Sequence, residues 1–255
     1  MDIVVRNFFR LLRAGVLHRQ ELVEPMSAWK WRQLWRLSML QGVEAEAWVG
    51  VNQLHEQFFM RLPDDLRTEW ERSVAGHASQ RGSIADHASH HGEQDDVEVY
   101  NPLTSRQQKR LARIAEEANP RSSTYRALVL TVELANHLLQ SDRWVLTLID
   151  LGRLLHAEGH YVDAGQLDEW VSDVGRGRLL QLEGLLLVQL LGLDADDVTF
   201  YTPSGDEAKD GRMVEDVVNA IWTTRPNVRF MKYFPHESLT SCTASVVQAI
   251  VNVEE

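Results

Sequence analysis

The stretch H-A-S-Q-R-G-S-I-A-D-H-A-S-H-H-G-E-Q-D-D, residues 77–96, places four histidines and four carboxylates in twenty positions. His87, His90 and His91 form an H-x-x-H-H set. Two or three of those imidazoles can bind Zn²⁺ or Ni²⁺, with Asp95 or Asp96 as a further ligand. A working site also needs groups that orient each imidazole. Here the neighbours are glycine, serine and alanine, and Ile84 is the only large apolar residue in the stretch. That composition reads as a polar linker or loop, so no metal ligand is assigned in His77–His91.

Other acidic pairs and histidine spacings give no site either. Asp194 and Asp196 make a D-x-D beside Asp197, at the expected end of a helix, and read as a solvated turn. Asp96 and Glu98 are spaced for one face of a strand, and Glu44 and Glu46 for different faces of a helix. His156 and His160 form H-x-x-x-H, but Gly159 is expected to end the helix between them. G-R-G-R-L at 175–179 is similar to a phosphate-holding turn and fits a break between two helices better. The chain has no P-loop, no G-x-G-x-x-G and no G-x-S-x-G. No catalytic, cofactor-binding or metal-binding residue is assigned, and no cofactor is expected.

The elements that would position these groups are read from hydrophobic period. Arg6, Arg10 and Arg13 share one helical stripe, and Val5, Phe8, Phe9, Leu12 and Val16 fill the opposite face. Such a helix either lies on a membrane or docks on its own domain; docking is the reading taken. After Pro25, Ser27 can cap a helix through Trp29, Trp31, Leu34, Trp35 and Leu37, with Gly42 as its stop, and aromatics at this spacing are read as core. Another runs through Trp48, Val51 and Leu54 to Phe58, and a short one starts at Pro63–Asp64 and passes Leu66 and Trp70. From Ala75 to Gln94 periodicity fails.

At Thr104 the sequence T-S-R-Q predicts a capping box with Gln107. Helices follow at about 104–118, 122–139, 143–157, 164–174 and 176–191, with Asp163 and Gln166 repeating the capping pattern and Gly192 marking a stop. R-M-V-E-D-V-V-N-A-I-W, 212–222, predicts one more. V-R-F-M-K-Y-F reads as a short strand or extended cover, and Ala244–Val253 is spaced as a helix. The fold class expected is therefore mostly all-α, helical bundles with at most a minor β element near 96–100 or 226–234. Three regions are expected: an N-terminal helical part, 1–74; the His-rich linker or loop, 75–96; and a C-terminal helical part, 97–255. The two helical parts are expected to pack together.

Composition bounds the function classes. The chain of 255 residues is 44% hydrophobic, enough for a sizeable core. A net charge of −11 argues against general nucleic-acid binding, which needs a basic surface. Cys242 is the only cysteine, so neither an intrachain disulfide nor a cysteine zinc site can form. No apolar run spans a bilayer. Arginines interrupt the N-terminal apolar residues, which are not read as a signal peptide. A cytoplasmic location is expected.

W-V-L-T-L-I-D-L-G-R-L-L-H, then Y-V-D-A-G-Q-L-D-E-W, then L-L-L-V-Q-L-L-G-L-D-A-D-D-V-T-F-Y form an ordered set across Trp144–Tyr201. The set resembles the helical C-terminal part of an uncharacterised nucleotidyltransferase family with a polymerase-β-like catalytic fold. By that resemblance Asp150, Asp163 and Leu191-Gly192-Leu193 stand at three of the family's motif positions. V-E-V-Y-N-P-L is similar to the end of the family's catalytic sheet, with Glu98 at its third carboxylate. A-L-V-L-T-V-E-L-A-N-H-L-L is similar to a helix with a histidine-rich face, where His137 remains and Glu133 stands in place of a common histidine. W-x-x-L-x-x-L-S-M-L-Q-G-V is similar to the entry helices.

The family's chemistry implies a glycine-rich turn followed by a D-x-D pair that binds metal. No G-[GS]-x-x-x-x-x-D-x-D occurs between the entry helices and Val97. Only about 35 residues separate Pro63 from Val97, and a sheet with four or more strands and its helices needs roughly twice that. The resemblance therefore implies a degenerate, non-catalytic relative, acting through a protein partner or self-association in an interaction or regulatory role; the net charge argues against a nucleic-acid partner, and a membrane is not the reading taken. The alternative is a remodelled nucleotidyltransferase or phosphotransferase that gathers Glu98, His137 and loop carboxylates.

Overall fold

The computed structural model describes residues 1–57, 60–85, 103–140, 143–222, 230–238 and 241; for 77–85 and 230–231 only the backbone is considered. All regular structure among them is helical. The chain divides into two compact units, Asp2–Val99 and Tyr100–Glu255.

The first unit contains α1 (Ile3–Leu17), α2 (Ala28–Leu40), α3 (Glu44–Gln53) and α4 (Asp64–Ala85). Asp2 caps α1 by accepting from the Val4 amide, and Ser27 caps α2 by accepting from the Lys30 amide, as its sequence predicts. The centre of the unit is the crossing of α1 with α3, where two glycines meet. A Cβ added at Gly15 would lie 2.3 Å from the Glu46 carbonyl oxygen, and one at Gly50 would lie 2.0 Å from that of Leu11. Backbone therefore touches backbone, and Phe8, Phe9, Leu12, Leu34 and Val51 close over the crossing with almost no exposure.

The arginine stripe of α1 does not remain bare. Arg6 donates Nε and a terminal nitrogen to the two Glu24 oxygens at 2.9 Å each, and Arg10 donates to Glu24 at 2.8 Å. Arg13 pairs with Glu21 at 2.6 Å. Both acceptors lie on the extended segment after α1, which is itself held by amide side chains. Buried Asn7 donates to the Glu24 carbonyl at 2.9 Å and accepts from the Glu24 amide at 3.0 Å. Gln57 accepts from the Val23 amide at 3.2 Å and donates to the Glu21 carbonyl. The docked reading of the first helix is the one the geometry fits.

Three sequence expectations change here. Trp29, expected in the core, is 65% exposed, whereas Trp31 is fully buried. The short helix expected near Trp70 continues as α4 to Ala85, so residues 75–85 of the expected linker are helical. Alanine, serine and glutamine tolerate a helix without an apolar stripe, which is why periodicity failed to reveal it. The remainder of that region, 86–96, lies outside the described residues. So do Phe58, the expected strand positions 96–100 and 226–229, Cys242 and Ala244–Val253. At Phe230–Tyr233, expected as part of a minor β element, the backbone is instead a short helix. Its following turn is closed by the Ser238 amide on the Phe234 carbonyl.

The second unit contains α5 (Ser105–Glu117), α6 (Ser123–Gln140), α7 (Trp144–Glu158), α8 (Ala164–Asp173), α9 (Gly177–Leu190), α10 (Glu207–Asn219) and α11 (Phe230–Tyr233), with 3-10 turns at Gly159–Tyr161 and Ala195–Asp197. Thr104 and Gln107 form the predicted capping box, and Asp163 caps α8 by accepting from the Gln166 amide at 3.0 Å. α6 packs on α7, α8 and α9, and α9 also meets α7, α8 and α10. The core is leucine-rich: Leu128, Leu134, Leu148, Leu151, Leu167, Leu179 and Leu186 are all fully buried. α10 begins five residues before its expected start because Asp206 accepts from the Lys209 amide at 2.9 Å and sets an earlier cap.

Candidate functional site

Residues singled out in the sequence fall into three groups. The H-x-x-H-H set, Asp95, Asp96 and Glu98 lie outside the described residues. Several others take structural roles in their own elements. His137 faces Glu133 one turn away on α6, at 3.6 Å. Asp150 accepts from Arg153 on α7 at 3.3 Å, Asp163 is a helix cap, and Asp194 and Asp196 are exposed around a 3-10 turn. Glu44 and Glu46 both sit in the first turn of α3 and are largely buried. Glu44 is fixed by the Trp35 indole, which donates at 2.8 Å, and by the Trp70 indole on its carbonyl at 3.2 Å. Among the described residues no three histidine, cysteine, aspartate or glutamate side chains gather closely enough to hold a metal ion.

A different place in the second unit has the form of a site: a cleft of about 350 Å³ bounded by α9, α10, the segment 201–204 and the Tyr233–Phe234 turn. Its floor is apolar, made by Leu182, Leu185, Met213 and Phe234. Its rim is polar, with Arg178 and Lys209 beside Asp210, Thr202 and Ser204. That pairing of an apolar floor with a few polar groups is the usual make-up of a binding cleft.

Each wall has a local cause. Gly184 lets the chain after α9 lie flat on the helix, since a Cβ there would stand 2.5 Å from the Tyr201 Cβ. Gln181 then brackets the same segment, donating to the Phe200 carbonyl at 2.7 Å and accepting from the Thr202 amide at 3.0 Å. The Ser204 hydroxyl donates to Asp210 at 2.8 Å and ties the rim to α10. Burial and the Asp210 charge raise the Tyr201 phenol above its ordinary range.

The opposite wall is latched by Arg178. It donates to the Tyr233 carbonyl at 2.9 Å, stands 3.6 Å from Glu237 and lies 5.7 Å from the Phe234 ring centre. Tyr233 in turn donates its hydroxyl to Asp216 on α10 at 2.9 Å. Beside these, Arg176 is wholly buried at the start of α9. It donates to the Asn136 side chain at 3.2 Å, and among the described residues its other guanidinium nitrogens find no hydrogen-bond acceptor. Burial lowers its pKa to about 10, opposed by the charges of Glu237 and Glu183. Burial pushes Glu183 well above the usual carboxylate range, with Arg176 opposing. The G-R-G-R-L stretch thus places one arginine inward among carboxylates and one outward on the cleft rim, which is not the arrangement of a phosphate-holding turn.

Sequence reasoning missed this cleft. Its floor residues looked like ordinary core positions, and its walls come from segments far apart in the chain. The one available signal was Arg176 and Arg178 flanking Gly177, which periodicity treats as a helix break. Comparison with protein-family models, curated proteins and solved structures gives no match for this chain.

Proposed function

We propose that this chain is a non-catalytic relative of the nucleotidyltransferase family, and that its helices bind another polypeptide in an interaction or regulatory role. The cleft over α9 and α10 is the observation that carries the binding role. Its leucine, methionine and phenylalanine floor accepts an apolar side chain, and its rim can meet a backbone or a charge. Kinship is supported by the order of the motif positions. Asp150 lies on α7, Asp163 at the start of α8 and Leu191-Gly192-Leu193 at the end of α9, the order in which the family's motifs follow one another. The non-catalytic half rests on the sequence, where the glycine turn and its D-x-D pair are missing.

The test has two arms. Thermal unfolding with Mg²⁺ and ATP or CTP is expected to match unfolding without them; clear stabilisation by either nucleotide would overturn the non-catalytic reading. In the second arm, Met213→Glu places a charge on the cleft floor. Wild type is expected to retain a partner protein on purification, or to sediment in a concentration-dependent way if the partner is a second copy, and the variant is expected to lose that behaviour with an unchanged circular dichroism spectrum. Full retention of both would remove the cleft from that role.

A further inference from the structure

We infer that the exposed face of α5 is a docking surface for a short acidic helix or peptide of a partner protein, an inference that rests on the binding role proposed above but uses a different surface. Arg106, Lys109, Arg110 and Arg113 follow the i, i+3, i+4, i+7 spacing that places all four on one side of a helix. They line a shallow groove of about 380 Å³. A chain of net charge −11 gathers four cations here.

One end of the face already displays the recognition chemistry. Asp173, the last residue of α8, lies between Arg110 and Arg113: Arg113 donates to its carboxylate at 2.8 Å, and the Arg110 Nε stands 3.7 Å away. Arg110 also donates to the Asp173 backbone carbonyl. A helix end with a carboxylate is therefore what this face holds within its own unit. Arg106 and Lys109, one turn toward the start of α5, are exposed, and among the described residues no side chain pairs with theirs.

Size and field select the occupant. Seven residues of helix are about 10 Å long, which matches two turns of a partner helix with one carboxylate per turn. A long polyanion such as duplex nucleic acid extends beyond the local screening length of about 8 Å and meets the repulsion of the whole acidic chain. A membrane surface needs apolar residues to insert beside the charges. No large hydrophobic side chain of α5 is exposed, and Ile114 is buried against the unit.

The experiment uses the full chain and Arg106→Glu/Lys109→Glu. Glutamate at 106 stands in the first turn, where it suits the helix dipole, and each new glutamate stands four residues before an arginine of the same face, Arg110 or Arg113, so the variant is expected to keep its melting temperature. The probe is a fluorescein-labelled alanine-based helix with one glutamate per turn; its glutamine counterpart, a DNA duplex and phosphatidylserine vesicles serve as comparisons. The glutamate helix is expected to bind and to weaken about tenfold in the variant, as two surface pairs turned repulsive would produce. Binding should also weaken with salt, and the glutamine helix should not bind. No binding of the glutamate helix, equal binding by the variant, or tighter binding of duplex or vesicles would overturn the inference. Met213→Glu is expected to leave this binding unchanged, so failure of the cleft and failure of the α5 face are read separately.

Discussion

Single carboxylates in this molecule behave in opposite ways because their surroundings differ. Glu24 accepts from Arg6 and Arg10 near the surface, and the Arg6 hydrogen bonds lead in lowering its pKa from 4.5 to about 2. Its folded value is depressed, so the stability it contributes is present above about pH 4.5 and is lost as pH falls toward 2. Urea midpoints of the wild type and Glu24→Gln are expected to differ at pH 7 and to converge near pH 2. Equal midpoints at pH 7 would show that the arginine stripe gains nothing from Glu24. Glu183 has the opposite sign. Its folded value is raised by burial, so wild-type stability declines as pH rises above 4.5 toward that folded value. Glu183→Gln keeps the shape and removes the ionisation. Its melting temperature is expected to decline less than that of the wild type over this pH range; a parallel decline in both proteins would refute it.

At the scale of elements, helix contacts depend on where a side chain is missing. Gly50→Ala drives a Cβ into the backbone of Leu11, which no rotamer change can relieve. A loss of about 1–3 kcal/mol is expected from urea unfolding. Gly211 lies inside α10 with open space where its Cβ would be, so Gly211→Ala is expected to stabilise by about 0.5–1 kcal/mol. Equal effects at the two sites would contradict the close α1–α3 crossing. Capping is also an element-scale property: Thr104→Ala removes the capping box of α5 and is expected to cost about 1 kcal/mol. Extended segments show a shared device. Asn7 and Gln57 hold residues 21–24, and Gln181 holds 200–202, each amide supplying the donor or acceptor that a neighbouring strand would otherwise provide.

On the scale of the whole molecule, two units with their own cores need not unfold together. Five of the eight tryptophans, Trp29, Trp31, Trp35, Trp48 and Trp70, belong to the first unit. Tryptophan fluorescence therefore weights that unit, whereas far-ultraviolet circular dichroism reports helices in both. Urea transitions followed by the two signals are expected to separate. Superimposed curves would mean that the units melt as one.

The all-helical class, most helix positions and the capping residues Ser27, Thr104 and Asp163 were legible in the sequence, because period and capping chemistry act within a few neighbouring residues. The extension of α4 past Ala75 was not, since alanine and serine form helix without leaving an apolar stripe. Neither the taking up of Arg6, Arg10 and Arg13 by Glu21 and Glu24 nor the cleft over α9 could be read from local pattern. Each depends on which distant segment lies against a helix face, and a carboxylate or a tyrosine looks the same in sequence whether it meets water or a buried partner. Tertiary packing decided those pairings because it brings together groups that the chain separates by up to several dozen residues.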